Sequence, residues 1–127
     1  FLVKHLRINW TEGEKHFRNC LLDFNKANNI AQWQWVAGCG ADAAPYFRIF
    51  NPILQGEKFD KEGSYVKKWV PELNKVPSKF IHKPWEMELK YQQAINTFIG
   101  KNYPKPIVIH EEARASALSA FQSLRKN

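Results

Sequence analysis

A chain of 127 residues, 44% of them hydrophobic, is enough for one domain or part of one, with a modest core. Its formal charge of +7 favours an anionic partner, nucleic acid first, because clustered Lys and Arg gain affinity by releasing counterions from phosphate. No window approaches the roughly 18 to 20 apolar residues of a membrane span, no charged-then-apolar leader opens the chain, two cysteines, Cys20 and Cys39, are too few for a disulfide framework, and no Cys or His pair sits at zinc-site spacing. The expectation is a cytoplasmic protein with free thiols, no membrane attachment and no metal. The chain opens on Phe1 without Met and in the middle of an apolar pattern, as expected of a segment from a longer protein.

Residues 10 to 22 place Trp10, Phe17, Cys20 and Leu21 at helical spacing, with Glu12 and Glu14 early and Lys15 and Arg18 late, which suits the helix dipole. Gly13 weakens this helix by about 1 kcal/mol against Ala. Asp23-Phe24-Asn25 breaks the pattern, and a second helix is predicted over about 26 to 37, with Ile30, Trp33, Val36 and Ala37. The glycines and prolines of 38 to 52 predict a compact loop with an extended stretch at 46 to 50. A helix over 60 to 69 follows, with Asp60 as its N-cap, Tyr65, Val66 and Trp69 on one face, and Lys61, Lys67 and Lys68 elsewhere. Pro71 ends it. Residues 74 to 85 read as a surface connector and 85 to 99 as a weaker helix. The last helix, about 110 to 125, carries Ala113, Ala117, Phe121 and Leu124 on its apolar side. No alternating strand series appears, so the predicted fold class is all-α.

Two runs carry more specific information: Asn28-Asn29-Ile30-Ala31-Gln32-Trp33-Gln34-Trp35-Val36-Ala37-Gly38, and Gly40-Ala41-Asp42-Ala43-Ala44-Pro45-Tyr46-Phe47-Arg48-Ile49-Phe50-Asn51-Pro52. With Gln55-Gly56-Glu57-Lys58-Phe59-Asp60, Trp69-Val70-Pro71-Glu72-Leu73 and Ile81-His82-Lys83-Pro84-Trp85, they resemble the signature of class I DNA photolyases, the enzymes that act on cyclobutane pyrimidine dimers, within the photolyase/cryptochrome family. The resemblance thins between about 86 and 103. It implies that residues 1 to 127 are the C-terminal part of the helical FAD-binding and DNA-binding domain. An N-terminal antenna domain holding folate or deazaflavin would lie outside this chain, as would an Arg partner for Asp23.

The implied activity is light-driven repair of the dimer by electron transfer from reduced FAD, performed by the whole protein, a monomer, on damaged DNA. The segment alone is expected to bind FAD poorly and to be inactive. The resemblance assigns Trp33 and Trp10 to an electron-transfer relay. Without it both are core aromatics. Asp23, Phe24 and Asn25 match a flavin-contacting turn, with Asn25 where the family usually has Asp, so contacts made by main chain should survive. Asn29 matches the position at the flavin N5 edge, where plant cryptochromes typically carry Asp. Trp35, about 200° around the helix from Trp33, would stack on the lesion. Arg48, Gln55 and Lys58 match positions near the damaged strand, where each can donate to phosphate. On residue type alone these three are solvated loop side chains. His82 reads as structural. The rival readings are a cryptochrome photoreceptor and a flavin-free helical DNA-binding module.

Overall fold

Asparagines set the first three helix starts. In the computed structural model, which describes residues 1–41 and 47–124, α1 (Trp10–Cys20) begins where Asn9 Oδ1 accepts from the Thr11 backbone N–H at 3.0 Å. Asn25 Oδ1 does the same for the N–H of Asn28, at 3.0 Å, in α2 (Lys26–Ala37). At α3 (Pro52–Phe59), Asn51 Oδ1 accepts from Ile53 and Leu54 at 2.9 and 3.2 Å. Each satisfies a first-turn N–H that has no partner inside its helix, and Pro52, at the first helical position, has none to satisfy. α4 (Ser64–Trp69), α5 (Leu89–Ile95) and α6 (His110–Leu124) complete the helices, with 3-10 turns at Pro71–Leu73, Ser78–Phe80 and Pro84–Glu86. The described residues form no strand, and no described helix is long and apolar enough to cross a membrane. The all-α expectation holds.

The chain divides into two units, one of Phe1–Ile49 with Val108–Asn127 and the other of Phe50–Ile107. In the first, α1 packs against α2. The expected apolar stripe of α1 needs correction: Phe17, Cys20 and Leu21 are exposed, and the helix buries Gly13 and Glu14 instead. The opening segment packs on α6. His5 Nε2 and His110 Nδ1 share a hydrogen bond of 2.9 Å, Arg7 donates to Ser116 Oγ at 3.1 Å, and Phe47 stacks on Phe121 with centroids 4.4 Å apart. Ala117 is buried on the apolar side predicted for α6, while Leu124 at its end is exposed.

The second unit departs further from expectation. Residues 74 to 85, read as a surface connector, contribute Val76 and Ile81 to a core completed by Leu73 and Met87. Val66, Val70, Phe80, Tyr91 and Ile95 pack around it. Burying side chains of this size stabilises by about 1.5–3 kcal/mol each. The helix expected over 60 to 69 starts at Ser64, so Lys61 precedes it. The N-cap is Gly63 rather than the expected Asp60, which is the C-cap of α3; the Asp60 carboxylate nevertheless accepts from the N–H groups of Tyr65 and Val66, both at 3.1 Å. The helical stretch of 85 to 99 shrinks to α5. There Gln92, buried, donates to Met87 O at 2.7 Å and accepts from Ile99 N–H at 3.0 Å.

Candidate functional site

The α1–α2 pair and the turn between its helices carry most of the residues singled out by sequence, and the contact itself holds Asn29 and Trp33. Asn29, one turn into α2, is buried, and its Nδ2 donates to Glu14 O at 3.0 Å and to Glu14 Oε1 at 3.2 Å. These two acceptors match the two hydrogens of the amide, and no described residue donates to Oδ1, which is left as an acceptor. Glu14 is itself buried and accepts from Arg18 Nε at 3.2 Å and from Arg18 Nη2. The Arg18 guanidinium holds the Glu14 carboxyl below the usual carboxylate range, outweighing the opposing effect of burial. By sequence alone Glu14 is only a charge suited to the helix dipole. Its i,i+4 spacing to Arg18 was the available signal.

Trp33, one turn beyond Asn29, lays its six-membered ring on the α1 backbone at Gly13 and meets Phe17 edge-on, with centroids 5.1 Å apart at 75°. Trp35 points elsewhere and is 41% exposed, as the angular offset between the two indoles requires. Trp10, at the start of α1, lines an open groove of about 320 Å³ with Val3, Ile8, Ala37, Phe47 and Phe121. The indoles of Trp10 and Trp33 therefore sit in different surroundings of the same helix pair.

Between α1 and α2, residues 21 to 25 turn with Asp23 and Asn25 exposed and Phe24 half-buried. Asn25 has a structural task as well, the α2 cap, which an Asp could perform equally. Arg48 is exposed, and its carbonyl accepts from Lys4. The part of the motif at 42 to 46 lies outside the described residues, as does Arg125 at the predicted end of the last helix.

In the second unit, Gln55 and Lys58 stand exposed on α3 rather than in the loop expected for them. Asn51 followed by Pro52 was the sequence signal for that helix. The Lys58 ammonium lies 5.0 Å from the centroid of Phe59. His82 sits against α3: its ring packs on Gly56, and its Nε2 donates to Asp60 O at 2.7 Å. Next to it, Lys83 pairs with Glu57 at 3.1 Å. Both residues anchor the helix that carries Gln55 and Lys58.

Comparison with known proteins matches this geometry to one family. The family model described as the FAD binding domain of DNA photolyase matches residues 1–123. The chain is 56% identical over 126 residues to the deoxyribodipyrimidine photo-lyase of Agrobacterium fabrum, and 50% identical over 126 residues to that of Escherichia coli. These alignments take in 99% of this chain, but 26% and 25% of the two relatives, so the chain spans about a quarter of the length of the curated relatives it matches. A bacterial class III photolyase from Agrobacterium tumefaciens superposes on the whole chain, and on 26% of its own, with a TM-score of 0.92 at 55% identity. A cryptochrome from Synechocystis superposes on 94% of this chain and 24% of its own, with a TM-score of 0.86 at 34% identity. A Sulfolobus tokodaii photolyase, solved with two FAD molecules, covers 97% of this chain and 26% of its own, with a TM-score of 0.80 at 37% identity. The expectation of a photolyase-type domain is met, and the chain belongs to the family of the FAD-binding domain of DNA photolyase.

Proposed function

We propose that this chain is the C-terminal portion of the FAD-binding and DNA-binding helical domain of a DNA photolyase, which as a whole protein repairs cyclobutane pyrimidine dimers with light. The observation that carries the reading is the Asn29 amide. With its N–H groups committed to Glu14, it offers a carbonyl oxygen in a fixed orientation. Such an acceptor fits the N–H that a reduced flavin bears at N5, and a neutral amide disturbs the flavin's protonation less than a carboxylate would. When bound, reduced FAD supplies on illumination the electron that opens the cyclobutane ring and recovers it afterwards.

The other residues follow from their positions. Trp33 and Trp10 pass electrons toward the flavin, indole being the side chain most easily oxidised by one electron. Asp23, Phe24 and Asn25 present main-chain groups of the α1–α2 turn to the polar edge of the flavin ring. Trp35, with its indole exposed, stacks on the dimer. Arg48, Gln55 and Lys58 are each proposed as donors to phosphate oxygens of the damaged strand. At the level of subclass the motif run supports class I, while the likeness to the Agrobacterium tumefaciens enzyme favours class III as a second reading. The antenna pigment of the whole protein is proposed to be folate or deazaflavin. The second FAD of the Sulfolobus tokodaii relative supports FAD as the alternative, and extraction of the pigment separates them.

The test is illumination of the whole protein, loaded with reduced FAD, on dimer-containing DNA. Light-dependent restoration of the DNA is expected, and Trp35→Ala should weaken binding to dimer DNA more than to undamaged DNA. Failure to repair with reduced flavin bound would sink the proposal in favour of a photoreceptor. Salt-sensitive DNA binding with no preference for the dimer would favour a flavin-free module.

A further inference from the structure

We infer that Gly13 and Phe17 are positioning residues that set the place of the Trp33 indole, and with it the electron path that the proposed function assigns to Trp33. A glycine inside α1 weakens the helix by about 1 kcal/mol relative to alanine, so something else must account for it. A Cβ at Gly13 would lie 2.5 Å from Trp33 Cζ2, and nearer still to Cζ3 and Cη2. All three atoms belong to one rigid ring, so no flexible tip can swing aside and the whole indole would have to move. Phe17, one turn further along α1, closes the seat with its ring edge-on to the indole.

A second contact keeps the seat in register. Asn29, one turn before Trp33 on α2, is tied to Glu14, the neighbour of Gly13 on α1. Rotation of α2 against α1 would break this pair and lift the indole together. Trp10 lies on α1 as well, three residues before Gly13. One helix therefore carries both the seat of Trp33 and the other relay indole, so the spacing of the two depends on how closely Trp33 can approach the α1 backbone. Electron transfer falls steeply with separation, which makes that approach a rate-determining dimension.

This inference rests on the relay reading, and three variants separate the two. In the whole protein loaded with oxidised flavin, with an external thiol as the terminal electron donor, Gly13→Ala should slow light-driven flavin reduction on the order of tenfold while FAD content is retained, in line with the cost of small misplacements at reacting centres. Phe17→Leu, which opens the seat without overlap, should slow it in the same direction by less, and it decides the question if Gly13→Ala does not fold. Trp33→Phe is the control. If Trp33→Phe slows reduction but both seat variants run at the parental rate, the seat is overturned and the relay stands. If Trp33→Phe itself runs at the parental rate, the relay reading fails and the inference fails with it.

Discussion

Gly56→Ala should destabilise this protein even though alanine is the better helix former. Inside α3 the exchange gains about 1 kcal/mol from backbone entropy alone. A Cβ there, however, would lie 2.8 and 2.9 Å from Cε1 and Cγ of His82, and nearer still to Nδ1. The ring cannot retreat without giving up its 2.7 Å hydrogen bond to Asp60 O. Overpacking of this kind costs about 1–3 kcal/mol, and the lost hydrogen bond about 0.5–1.5 kcal/mol more. The expected net effect is a destabilisation of roughly 1–3 kcal/mol, read as a lower urea midpoint at unchanged slope.

The sign should reverse when the ring is gone. In a His82→Ala background the overlap and the hydrogen bond are both absent, so Gly56→Ala should stabilise by about 1 kcal/mol. A double-mutant cycle of the four proteins should therefore give a coupling of roughly 2–4 kcal/mol. If Gly56→Ala stabilises both backgrounds alike, His82 does not hold α3 as described. Because α3 carries Gln55 and Lys58, the proposed phosphate donors, releasing it should also weaken DNA retention in the whole protein.

Three further outcomes are expected. Asn25→Ala removes the α2 cap and should cost about 1 kcal/mol by urea unfolding, whereas Asn25→Asp keeps the cap and should change stability by only a few tenths of that. Acid should destabilise the protein in part through Glu14 and Asp60. Arg18 holds Glu14 below the usual range, and at Asp60 burial pushes the pKa up but the N–H groups of Tyr65 and Val66 prevail and hold it down. A depressed folded pKa gives stability that is present above the unfolded value and lost as pH falls through the folded one. The part of the stability owed to these two carboxylates should thus be level above about pH 5 and be lost below about pH 4, so the urea midpoint should fall there less steeply in Glu14→Gln. Leu73→Ala, at a fully buried core position, should cost about 2–5 kcal/mol, measured the same way.

Much of the local structure was legible because it depends on neighbours in the chain. The 3.6-residue pattern located α1, α2 and α6, since one face of each element repeats its apolar residues at that interval. Where the period was short, reading failed. Val76 and Ile81 sit in a run of 3-10 turns with no sustained repeat, so the core they form looked like a connector. Asp60 is not the N-cap that its residue type suggests: Gly63 takes that position, and the Asp60 carboxylate reaches across the turn to the N–H groups of Tyr65 and Val66.

The motif run, by itself, determined the family and named Trp33, Asn29 and Trp35 as residues to watch, because those depend only on residue identity and spacing. The partners of these residues could be decided only by tertiary structure. Glu14 became the residue that orients Asn29, Gly13 the seat of Trp33, and His82 the brace of α3. Nothing in a linear pattern indicates which helix faces meet. A glycine that looks like a local weakness is explained only once a ring from another helix is found resting on it, and a glutamate that suits a dipole proves to be buried only once a second helix covers it.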